Sequence, residues 1–236
     1  FENPESMYVN LLNPTNSTIA DAQGEGRILD NADKPSLSVS TTEVVEGGYA
    51  VFNIQLSNPS TQDVTFDLTP KEGTATQDDY SSIVEVSYDG GVTWTPASEA
   101  IIPAGKTQIL ARVQTTQDDI DELVEKFTLT ADITSGNTTN VSSTGTASIL
   151  DNDGEPQIVI SDSSVNEEDG LLTFVVSLSN PSSNVVTVNY VTADGTAISG
   201  SDYVSSTGTI TFAPGETSKI ITVAVLDDNV FENPES

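Results

Sequence analysis

Two acidic runs hold the residues most able to do chemistry. Asp118-Asp119-Ile120-Asp121-Glu122-Leu123-Val124-Glu125 is matched further on by Asp228-Asn229-Val230-Phe231-Glu232-Asn233-Pro234-Glu235. Carboxylates gathered in one place repel, raise each other's pKa and loosen a fold, and a hard cation reverses the sign of that term. The chain has no softer ligand to offer, because it contains neither cysteine nor histidine. Disulfides, thiolate sites, soft zinc sites and the usual general base are thereby excluded. Oxygen ligands remain, and calcium, which takes about six to eight of them, suits such a set far better than a transition metal.

Composition points the same way. Against 36 Asp and Glu stand 7 Lys and Arg, a formal net charge of -29. That excludes nucleic acid as a natural partner and makes divalent cations the expected one. With 36% apolar residues in regular runs the chain can still bury cores, so folded modules are the stronger reading than disorder. No stretch approaches the roughly 20 apolar residues of a membrane span and no signal peptide opens the chain, as expected of a piece of something longer.

The elements that must position these acids are strands. Tyr49-Ala50-Val51-Phe52-Asn53-Ile54-Gln55-Leu56 and Val185-Val186-Thr187-Val188-Asn189-Tyr190 alternate with period two, and Gly, Pro, Asn and Asp clusters punctuate such runs. No stretch has a convincing helical period. About seven short strands in about 115 residues predict an all-β chain of tandem immunoglobulin-like antiparallel β-sandwiches.

The sandwiches repeat. Leu56-Ser57-Asn58-Pro59-Ser60 returns as Leu178-Ser179-Asn180-Pro181-Ser182, and Gly73-Thr74-Ala75 with Asp79-Tyr80 returns as Gly195-Thr196-Ala197 with Asp202-Tyr203. Ile149-Leu150-Asp151-Asn152-Asp153 matches Ile28-Leu29-Asp30-Asn31-Ala32-Asp33, and the opening Phe-Glu-Asn-Pro-Glu-Ser hexapeptide recurs at 231–236. The expected division is residues 1–34 as the last two strands of one module, 35–153 as a complete module, and 154–236 as a module lacking its last two strands. A module without those strands exposes an apolar groove and unpaired edges, so neighbouring copies of the chain, head to tail, are the expected partners. A continuous array and separate subunits both remain open.

In their order along the chain, the Glu-Gly start, the Gly-Thr-Ala to Asp-Tyr segment, the Asp-Asp-x-x-x-Glu-x-x-Glu loop and the Asp-Asn-Asp end resemble the Calx-beta domain. That family occurs in sodium-calcium exchangers and, as long tandem arrays, in large bacterial surface and adhesion proteins. The resemblance covers essentially the whole sequence. It implies a seven-stranded sandwich whose calcium site lies at one tip and draws on these four segments. The ligands so implied are Glu46, Asp79, Asp118, Asp119, Glu122 and Glu125, with Asp151 and Asp153 closing the site. In the last module the matching set is Glu167 or Glu168, Asp202, Asp227, Asp228, Glu232 and Glu235; in the leading fragment Glu2, Glu5, Asp30 and Asp33 remain. Gln117 stands where the last module has Asp227, and Ala32 interrupts the leading Asp-Asn-Asp, so some sites can be incomplete. The plain alternative is that any one of these acids is a solvated loop residue.

Ser87-Tyr88-Asp89-Gly90-Gly91-Val92-Thr93-Trp94 matches an Asp-box and lies in an insertion of the middle module. It reads as an extra hairpin near 85–96, tightened by Asp89-Gly90-Gly91 and packed down by Trp94, rather than as a catalytic or carbohydrate-binding element. Asn16-Ser17-Thr18, Asn137-Thr138-Thr139 and Asn140-Val141-Ser142 fit the glycosylation pattern and mark surface loops. No nucleophile has a base beside it and no phosphate-cradling loop precedes a helix, so an enzyme is not expected. Two roles compete: a calcium-stiffened structural repeat of an extracellular filament, stalk or adhesin at the cell surface, and a regulatory calcium sensor. Tandem repetition, abundant Ser and Thr, absent cysteine and extreme acidity favour the first.

Overall fold

The computed structural model describes residues 2–29 and 33–227; Asp30, Asp228, Glu232 and Glu235 of the expected ligand set lie outside them. The regular structure of the described residues is almost wholly β, with one three-residue 3-10 turn, Glu167–Asp169. The chain divides into two compact units, Phe1–Gln117 with Glu125–Leu150, and Asp118–Val124 with Asp151–Ser236.

The first unit opens on a hairpin of β1 (Glu5–Asn10) and β2 (Gln23–Ile28), which forms a sheet of its own. Its register sets Glu5 opposite Ile28, Met7 opposite Gly26 and Val9 opposite Gly24. The sandwich follows. One sheet orders β3 (Leu37–Val39), β5 (Tyr49–Leu56), β10 (Gln108–Thr115), β7 (Tyr80–Ser87) and β8 (Thr95–Pro96). The other orders β4 (Thr42–Val45), β12 (Ser142–Leu150), β11 (Glu125–Ser135), β6 (Val64–Glu72) and β9 (Glu99–Ile102).

Period-two patterning explains the packing: along β5, Ala50, Phe52, Ile54 and Leu56 are buried while Tyr49, Val51 and Gln55 face outward. At the centre the Tyr80 ring stacks on Phe127 with centroids 4.2 Å apart, and Phe52 meets Phe127 edge-on at 6.1 Å. Such aromatic pairs add about 0.5–1.5 kcal/mol each beyond their buried area. Ten strands stand where about seven were expected. The first edge strand is split, β3 pairing antiparallel with β5 and β4 pairing parallel with β12, and the insertion supplies β8, paired with β7. Gly145 on β12 is required by this closure, since a Cβ there would lie 2.1 Å from the carbonyl oxygen of Ser40.

The second unit repeats the plan in part. β13 (Ile158–Ile160), β14 (Leu171–Leu178) and β17 (Ser218–Ala224) form one sheet, β15 (Val186–Val191) and β16 (Thr207–Phe212) the other. Val176, Leu178, Tyr203, Ile210, Phe212, Ile221 and Val223 form its buried core.

Candidate metal centre

The acids of the first unit are set by turns. Glu46 follows edge strand β4, and its backbone N–H donates to the Leu150 carbonyl at 3.0 Å. The left-handed backbone at Gly47 (φ +73°) then turns the chain, and the Gly47 N–H donates to Thr116 at 3.0 Å. The Glu46 side chain is buried, and the Gln117 amide donates to its Oε1 at 2.7 Å. Gln117 thus puts a donor where the repeat carries a carboxylate. Asp79 is held by the backbone N–H and hydroxyl of Thr76, at 2.5 and 3.0 Å, just before the buried ring of Tyr80.

In the second unit the segment Asp118–Val124 is ordered by its own acids. The Asp118 carboxylate accepts from the Ile120 N–H at 2.8 Å, and Asp151 accepts from the Glu122 N–H at 3.0 Å and the Asp153 N–H at 2.9 Å. Asp151 therefore serves as a brace for the backbone carrying Glu122 and Asp153. Asp121, outside the expected ligand set, is a second brace: the buried Ser182 hydroxyl donates to its carboxylate at 2.7 Å, and its N–H donates to the Pro181 carbonyl at 3.0 Å. The signal for it was the repeated Leu-Ser-Asn-Pro-Ser motif, whose final serine is buried in both copies.

Within the second unit Asp118 and Asp153 offer carboxylate oxygens within 4.8 Å of each other, and within the first unit Asp79 and Glu125 do the same. Calcium–oxygen bonds of about 2.3–2.6 Å put ligands on opposite sides of the ion about 5 Å apart, so these spacings fit that cation. The fit has an independent sign. The Oδ2 of Asp153 is buried without a hydrogen-bond donor, a position a cation satisfies and a carboxylate otherwise endures at a cost. Of the remaining expected ligands, Asp119 is exposed and joins neither pair.

The matching acids of the last module are not gathered in this way among the described residues. Glu167 and Glu168 sit in the 3-10 turn, Asp202 accepts from the Ile198 N–H at 2.6 Å, and Asp227 is exposed. Glu2, Glu5 and Asp33 are exposed. A different carboxylate is engaged nearby: the buried Tyr203 hydroxyl donates to Asp194 at 2.7 Å, which holds Asp194 below the ordinary carboxylate range and raises Tyr203.

The Asp-box residues build a turn. Asp89 accepts from the Thr93 hydroxyl and backbone, the Ser87 hydroxyl and the Val92 N–H, which together hold its carboxyl far below the ordinary range. The Trp94 indole N–H donates to Gly91, and the Arg112 guanidinium lies between the Trp94 and Tyr49 rings at 4.3 and 3.9 Å.

A profile of the Calx-beta domain matches residues 30–155 and again 151–236. The chain belongs to the Calx-beta family. Among curated Calx-beta relatives, sodium/calcium exchanger 1 of Canis lupus familiaris is 51% identical over 53 residues, which is 22% of this chain and 6% of that protein. Sodium/calcium exchanger 2 of Homo sapiens is 50% identical over 48 residues, 20% of this chain and 5% of that protein. The chain thus spans a small part of their length. Similar solved structures include the calcium binding domain CBD12 of CALX1.1, with 20% identity, a TM-score of 0.40 and coverage of 81% of this chain and 76% of that one. The apo form of the Calx CBD1 domain has 16% identity and a TM-score of 0.38, over 51% of this Calx-beta chain and all of that one.

Proposed function

We propose that this Calx-beta chain is a non-catalytic, calcium-stiffened structural repeat of an extracellular surface filament, stalk or adhesin, whose successive copies meet head to tail. The observation that carries the calcium reading is the buried, donor-free oxygen of Asp153 beside Asp118, within the second unit. Of the expected ligands, Asp118 and Asp153 in the second unit would take part in holding one ion, and Asp79 and Glu125 in the first unit a second. Asp151 and Asp121 keep the intervening backbone in place. The chemistry an ion supplies is charge neutralisation in a chain whose net charge is -29. No helix among the described residues is long and apolar enough to cross a membrane.

Open, carboxylate-rich sites in extracellular modules bind calcium with dissociation constants of about 10⁻⁴ to 10⁻³ M. Linkage then adds about 1.4 kcal/mol of stability per site at tenfold saturation. Calorimetry in 5 to 10 mM calcium chloride (about tenfold the weaker of these constants), against EGTA at equal ionic strength, is expected to show a higher melting temperature in calcium. An unchanged melting curve would refute the site. The likeness to sodium/calcium exchangers supports the alternative of a regulatory sensor. A sensor saturates at micromolar calcium and a structural repeat only near millimolar, so isothermal titration separates the two.

A further inference from the structure

The hairpin β1–β2 is the counterpart of β11–β12. In the sandwich Glu125 faces Ile149, Phe127 faces Ala147 and Leu129 faces Gly145; in the hairpin Glu5 faces Ile28, Met7 faces Gly26 and Val9 faces Gly24. The same register is kept with different side chains. Yet Phe127 and Leu129 are fully buried, whereas Met7 is 51% and Val9 56% exposed.

The second unit has the complementary feature. Its β14 and β17 pair as β5 and β10 do, with Phe174 opposite Ile221 where Phe52 is opposite Ala111. Its β15 and β16 pair as β6 and β9 do, with Val186 opposite Phe212 where Val64 is opposite Ile102. Among the described residues nothing stands where β11 and β12 stand. Between the sheets lies an open apolar cavity of about 340 Å³ lined by Phe174, Tyr190, Tyr203, Ile221 and Val223. In the sandwich the Phe127 ring occupies the equivalent place, stacked on Tyr80 and edge-on to Phe52, whose counterparts are Tyr203 and Phe174.

We propose that this face of the second unit is the docking site for the β1–β2 hairpin of a second copy of this chain. Met7 fills the cavity between Phe174 and Tyr203, an irregular space that an unbranched thioether fits well. β1 pairs with the free edge of β15 as β11 pairs with β6. Phe127 faces Glu72, Leu129 faces Pro70 and Thr130 faces Thr69, so Met7 faces Asp194, Val9 faces Thr192 and Asn10 faces Val191. The hairpin carries Met7, Val9 and Ile28 on its two strands and Leu11 just past β1, all more than half exposed, onto an apolar sheet face. Gly24 then takes the place of Gly145. In the sandwich a Cβ at Gly145 would strike the Ser40 carbonyl, whose counterpart is Ser161, while a Cβ at Gly24 in the free hairpin meets nothing within 4 Å.

This inference rests on the head-to-tail reading and specifies its interface, and the experiment separates the two. In millimolar calcium, light scattering on the unaltered chain is expected to show oligomers that grow with concentration. Gly24→Val and Met7→Asp are each expected to reduce them to single chains with an unchanged melting temperature of the first sandwich. The double variant Asn10→Cys with Val191→Cys, in a protein with no other cysteine, is expected to give a disulfide ladder on oxidation. The pair Asn10→Cys with Thr192→Cys, one residue out of register, gives none. A single-chain species at all concentrations overturns head-to-tail association altogether. Oligomers that survive Gly24→Val, or form no Asn10–Val191 ladder, overturn this interface and leave the association standing. A cross-link closed within one chain overturns the second copy as occupant.

Discussion

At the scale of single residues, the Asp153 oxygen turns the calcium reading into a crossover. With a chelator present, Asp153→Asn removes one of two neighbouring charges and offers an amide donor to Asp118, so the melting temperature should rise. In calcium the same change deletes a ligand, and the melting temperature should fall below that of the unaltered chain. A variant that shifts melting in one direction under both conditions would deny the cation. Asp89 gives a second residue-level test through the only tryptophan in the chain. Four donors hold its carboxylate, and its folded pKa is depressed; the stability it lends the turn is therefore present above the ordinary carboxylate range near pH 4 and lost as pH falls below it. Emission of Trp94 should shift to the red in acid, and Asp89→Ala should show that shift already at pH 7.

Among the elements, the Phe127 side chain on β11 is where the two sheets lock together, because it touches both Tyr80 and Phe52. Phe127→Ala leaves a cavity at full burial and should cost about 3–5 kcal/mol in urea denaturation. The strands themselves were legible in sequence because period-two alternation records which face each residue buries, as β5 shows. The split edge strand was not, since β3 and β4 differ only in which distant strand each pairs with. For the proposed calcium ligands, residue type and order singled out acids on four separate segments, Glu46, Asp79, Asp118 to Glu125, and Asp151 with Asp153. Sequence did not show which of the acids also hold backbone in place. Asp121 and Asp151 are chemically identical to Asp118, and their backbone and hydroxyl partners follow from long-range packing.

For the molecule as a whole, charge sets the terms on which everything else is measured. Even if every one of the 7 basic residues paired with an acid, the excess of -29 would remain. One basic residue, Arg112, is already committed, held by Glu85 at 2.7 Å and pressed between two aromatic rings, so it serves packing inside one sheet. The rest of the neutralisation has to come from the solution. Sodium chloride alone should therefore raise the melting temperature as the screening length falls from about 30 Å at 0.01 M to about 8 Å at 0.15 M, with no site involved. Replacing calcium by an ionically equivalent amount of sodium measures that diffuse share; what calcium adds above it belongs to the bound ions. The same imbalance makes the ion atmosphere a structural component: the sandwiches are folded by their cores, and the salt around them sets how much self-repulsion those cores must overcome.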